Sequence, residues 1–135
     1  MTTKDKLDKL ITASNELNLK TEQLNEYIIE FEEFLEDAGI GVGAWSKVPL
    51  SGQGEEDWLL GYAKLHGKWR IAVRRAGFGT LSNASTPMPL VNAARILRLE
   101  AVQQMQELVD ALTEKTNEYI ADINALHLPT GRAVT

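Results

Sequence analysis

Apolar and small polar residues recur at alternating steps of three and four over the first third of the chain. The series is Leu7, Leu10, Ser14, Leu17, Thr21, Leu24, Ile28, Phe31 and Leu35. No Gly or Pro interrupts residues 4–37, and charged residues such as Lys9, Glu16, Lys20, Glu22, Glu26, Glu30 and Glu33 lie off the series. This is a heptad seam, and it predicts one long coiled-coil-like helix over 4–37. Gly39, just past its end, suits a left-handed cap. At 1.5 Å per residue the helix is roughly 50 Å long.

A second apolar stripe runs through Leu90, Ala94, Leu97, Ala101, Met105, Leu108, Leu112, Thr116, Tyr119, Ile123 and Leu126. Its mean step of about 3.6 residues predicts a helix over 87–127. Pro87 fits a first turn, where its missing N–H is unneeded. The tail, 128–135, is expected to fray.

Between the helices, 40–82 reads as an antiparallel β meander. Its clearest part is WLLGYAKLHGKWRIAVRRAG, Trp58 to Gly77. With His66-Gly67 as a two-residue turn, Leu65 opposes Lys68, Tyr62 opposes Ile71 and Trp58 opposes Arg75. Alternation then puts Trp58, Leu60, Tyr62, Lys64, Trp69, Ile71, Val73 and Arg75 on one face. The other face holds Leu59, Gly61, Ala63, Leu65, Lys68, Arg70, Ala72 and Arg74. The first face is apolar in its middle and suited to covering helices; the second is flat and cationic. A one-residue shift of register exchanges the two. Gly41–Val48 predicts a further strand, and Phe78–Asn83 a short fourth one. The pattern G-Y-x-K-x-x-G-K-W resembles a hairpin of assorted small bacterial and phage proteins, a likeness too short to imply a function.

The expected fold is thus α+β: a long N-terminal helix, a three- to four-stranded antiparallel meander and a long C-terminal helix. The helices are expected to pack antiparallel and on one sheet face, in a single domain spanning 1–135. Strands of eight residues reach only about 27 Å. Roughly half of each helix therefore needs another partner, either the other helix or a second copy. A homo-oligomer follows, a dimer first, with Leu10, Leu17, Leu24, Ile28, Phe31 and Leu35 as its packing residues.

Charge sharpens this picture. The chain has 135 residues and a net charge of −5. Residues 1–57 carry 5 basic and 13 acidic side chains, whereas 58–99 carry 7 basic and no acidic ones. A basic centre sits between acidic arms. Lys68, Arg70 and Arg74 on the sheet, extended by Arg95 and Arg98 at the start of the second helix, are the candidate anion-binding residues. The competing reading is a solvated basic face paired with helix carboxylates.

Candidate chemistry is otherwise sparse. There is no cysteine, which removes disulfides, thiolate metal sites and cysteine nucleophiles. GIGVG follows a helix and precedes a strand, the reverse of a phosphate-binding loop. Glu22, Glu26, Glu30 and Glu33 have ligand-like spacing without the E-x-x-H partner of a di-metal bundle. No nucleophile–base motif stands out. No catalytic residue, metal or cofactor is expected, and neither a bilayer-spanning run nor a secretory leader is legible. Cytoplasmic location and no membrane contact are the expectations.

Three functions compete. The first is a non-catalytic binding or adaptor protein of bacterial or phage type that self-associates through its helices and docks a protein partner. The second is a binder of an anionic ligand, a nucleotide or single-stranded nucleic acid, on the basic hairpin face; overall acidity counts against broad nucleic-acid binding. The third is an inhibitor or immunity-type protein whose acidic helices occupy a basic target.

Overall fold

The computed structural model describes residues 1–51, 57–76 and 86–127. Helix α1 spans Thr3–Asp37 and opens on a reciprocal cap. Thr2 Oγ1 accepts the Asp5 N–H while the Asp5 carboxylate accepts the Thr2 N–H, each at 3.2 Å. This satisfies donors that a helix start otherwise leaves orphaned. At the other end Gly39 takes φ 75°, and the Ile40 N–H reaches back to the Leu35 carbonyl. That is the expected left-handed cap, and it turns the chain toward the sheet.

Strands β1 (Ala44–Trp45), β2 (Trp58–Leu65), β3 (Lys68–Arg75) and β4 (Met88–Pro89) form one antiparallel sheet in the order β1-β2-β3-β4. His66 at φ 50° and Gly67 at φ 82° make the two-residue turn. They set the expected register, Leu65 opposite Lys68 through Trp58 opposite Arg75. The predicted core face follows: Leu60, Tyr62, Ile71 and Val73 are fully buried. Leu50, bridged to Trp58, joins the same core.

Two expectations need correction. The second helix does not open at 87. Pro89 forces Met88 into an extended conformation, and Met88 and Pro89 pair with Val73 and Ala72 as edge strand β4. A 3-10 turn, Leu90–Asn92, follows before the chain turns helical at Arg95. The helix is also divided, into α2 (Arg95–Gln103) and α3 (Met105–Asn124), by Gln104 at φ −111°, ψ 20°. The division lets Leu97 and Ala101 on one side, and Met105, Leu108 and Leu112 on the other, enter a common core. The expected fourth strand at 78–83 and the tail at 128–135 lie outside the described residues.

The expected α+β class, with helices packed on the sheet, is otherwise present, while in place of the expected pairing of the two long helices along each other α1 meets the shorter α2. Helix α1 lies against β3, the 3-10 turn and α2; α3 lies against β1 and β2. Only part of each helix is covered. Along α1 burial begins at Thr21, and residues 1–20 are exposed throughout; α3 and the residues after it are exposed from Asn117 to His127. No helix among the described residues is long and apolar enough to cross a membrane.

Candidate functional site

The heptad seam divides in two. Leu24, Ile28, Phe31 and Leu35 pack into the chain's own core, Ile28 and Leu35 fully or nearly fully buried. Leu7, Leu10 and Leu17 continue the same stripe into solvent, 51%, 63% and 45% exposed, with Ile11 beside them. Of the six packing residues expected from sequence, four serve intramolecular packing and two, Leu10 and Leu17, face outward. Being about half exposed, these leucines each forgo roughly half of the 1.5–3 kcal/mol that full burial contributes. A smaller counterpart exists after α3's covered half, where Tyr119, Ile120, Ile123 and Leu126 are exposed.

The five candidate cations differ in what holds them. Arg70 turns to α1: its Nε donates to the Glu32 carboxylate at 3.1 Å, where Glu32 is buried. Arg98 donates to Asn25 Oδ1 at 2.7 Å, also on α1, and so does not extend the sheet face. Arg74 lies on the outer face with its guanidinium 4.3 Å from the centre of the Trp45 ring. Lys68 is exposed beside the hairpin turn, and Arg95 is exposed as the first residue of α2. Two of the five are thus held by α1 and a third by an indole.

Trp45 is the residue on this face that the hairpin alone does not reveal. It sits opposite Gly61 and its indole lies where a Cβ on Gly61 would be. The glycine is therefore a close-approach position, and the indole is the platform on which Arg74 stacks. The signal available was the unexplained glycine in the middle of an otherwise regular strand. Between β1 and α3 runs a shallow open groove of about 300 Å³, lined by Gly43, Trp45, Lys47, Glu114 and Glu118 among others. Lys47 binds Glu114 there at 2.9 Å, and that hydrogen bond, then the charge of Glu114, raises the lysine pKa. Both side chains are mostly exposed, so the pair adds little to stability.

Among the described residues no group of His, Asp and Glu is arranged to hold a metal ion. Comparison of the chain with protein-family models, curated proteins and solved structures found no match. Function is therefore read from these surfaces.

Proposed function

We propose that the protein is a non-catalytic binding or adaptor protein that self-associates through the N-terminal half of α1 and docks a protein partner. The observation that carries this reading is the exposure of Leu7, Leu10 and Leu17 in direct continuation of a seam that is buried further along the same helix. A contiguous apolar stripe on a capped, regular helix marks an interaction surface. The engagement of Arg70, Arg98 and Arg74 with Glu32, Asn25 and Trp45 favours it over an anion-binding sheet face. Native mass spectrometry at micromolar concentration tests the self-association: a dimer or larger species is expected, and a monomer across the concentration range overturns it.

A further inference from the structure

Resting on that reading, we infer that the exposed half of α1 pairs with the same segment of a second copy in antiparallel orientation, Leu7 of each copy meeting Leu24 of the other. Three observations lead to this arrangement.

The first is side-chain size. An antiparallel seam alternates the two core positions of the heptad across the interface. With Leu7 opposite Leu24, Leu10 meets Thr21 and Ser14 meets Leu17, each layer occurring twice. Every small polar residue then faces a leucine. A parallel, in-register pair would instead stack Ser14 on Ser14 and Thr21 on Thr21. Thr21 is prepared for an apolar neighbour, because its hydroxyl already donates to the Leu17 carbonyl at 2.8 Å. Its methyl group is left to meet Leu10.

The second is charge along the helix axis. Residues 1–20 carry Lys4, Lys6, Lys9 and Lys20 against Asp5, Asp8 and Glu16, while 21–37 carry six glutamates and Asp37 with no basic residue. Antiparallel pairing lays the lysine-bearing end of one helix along the acidic half of the other; the gain comes from charge summed along the axis, since Glu22, Glu26 and Glu30 themselves point away from the seam. Parallel pairing sets lysine ends together and acidic ends together. The helix dipoles add in the same direction.

The third is charge around the helix. At 100° per residue, Lys4, Lys6 and Lys20 border the apolar stripe, and Asp5, Asp8 and Glu16 fall on the far side. The positions flanking the seam across the antiparallel interface pair Lys6 with Tyr27 and Ala13 with Lys20 on one side. On the other they pair Lys4 with Asn25 and Ile11 with Asn18, so no like charges face each other. The leucine seam is also continuous with the chain's own core at Leu24. Each partner helix therefore extends that core rather than founding a separate one.

The absence of cysteine makes the orientation measurable. A Glu33→Cys variant carries one spin label at an exposed position of α1, read by electron double resonance in the full-length protein. Antiparallel pairing places the two labels roughly 50 Å apart, from about 35 residues of axial offset at 1.5 Å each; parallel pairing places them within about 30 Å. Separately, Leu10→Glu with Leu17→Glu is expected to weaken the dimer by roughly 100-fold or more. Both leucines are exposed in the single chain, so the circular dichroism of the variant at low concentration should match the parent. A long distance lost with the double substitution supports the inference. A short distance overturns the antiparallel pairing while leaving self-association standing. A dimer indifferent to the double substitution overturns α1 as its seam, and a monomeric parent overturns both readings.

Discussion

Glu32 of α1 and Arg70 of β3 meet where β3 runs past the end of β4, and their contact caps the strand there. Among the described residues β4 pairs only with Ala72 and Val73, and the N–H of Ile71 points outward beyond its end. Glu32 Oε1 accepts it at 3.0 Å, and the two carboxylate oxygens together hold Arg70 Nε. One buried side chain from α1 thus satisfies a backbone donor that no strand among the described residues reaches, a device that discourages edge-to-edge pairing.

Removing that carboxylate leaves a backbone donor and a partly buried guanidinium without their partner. Glu32→Ala is expected to lower unfolding stability by about 2–3 kcal/mol, below the full figure for a buried pair because Arg70 is partly exposed. Glu32→Gln, which keeps an acceptor for Ile71, should lose about half as much. Urea titrations of the two variants check this; equal losses would show that the charge, not the edge hydrogen bond, dominates.

The turn offers a test confined to the backbone. Gly67 has open space where a Cβ would go, yet its φ is +82°. Gly67→Ala should therefore cost about 1–2 kcal/mol through conformation alone. His66 also takes a positive φ, which asparagine tolerates better. His66→Asn is expected to raise the thermal midpoint slightly, and an unchanged or lower midpoint would argue against the turn geometry.

The hairpin was legible because two adjacent residues set its register, and the register sets both faces. The long helix was legible because its period and its cap agree. What sequence periodicity cannot say is where along a stripe the partner ends: Leu17 and Leu24 look alike, and only the extent of the sheet separates them. The partners of the cations are hidden from sequence for a related reason. Arg70 and Arg98 bind Glu32 and Asn25, which lie dozens of residues away along the chain. Likewise the apolar period through Gln104 continues unbroken while the backbone does not.

Tyr62 sits in the core with its hydroxyl buried and without a hydrogen-bond partner among the described residues. Burial first, then the charges of Glu36 and Glu32, raise its pKa above the ordinary tyrosine value. In the unfolded chain the phenol ionises at about pH 10. The stability linked to the neutral phenol is therefore complete below that pH and declines as pH climbs toward the folded value. Tyr62→Phe should remove this alkaline decline and, by deleting an unsatisfied hydroxyl, stabilise the protein by about 1 kcal/mol at neutral pH. Denaturant titrations at neutral and alkaline pH measure both effects, and a destabilised variant at neutral pH would reveal a partner for the hydroxyl.

The Trp45–Gly61 contact yields a prediction whose sign depends on background. In the parent chain a methyl at Gly61 would lie within the Trp45 indole. Gly61→Ala must then lift the ring from the sheet and separate it from Arg74, a loss of about 1–3 kcal/mol by overpacking. Trp45→Ala alone uncovers Gly61 and removes the stack, and it too destabilises. Once the indole is gone, the reason for glycine is gone with it. Alanine at 61 then restricts the unfolded chain and covers the strand, a gain of about 0.5–1 kcal/mol. A double-mutant cycle in urea should therefore show Gly61→Ala destabilising the parent and stabilising Trp45→Ala. If the substitution costs the same in both backgrounds, Gly61 answers to the backbone rather than to Trp45, and the indole is not what holds this position to glycine.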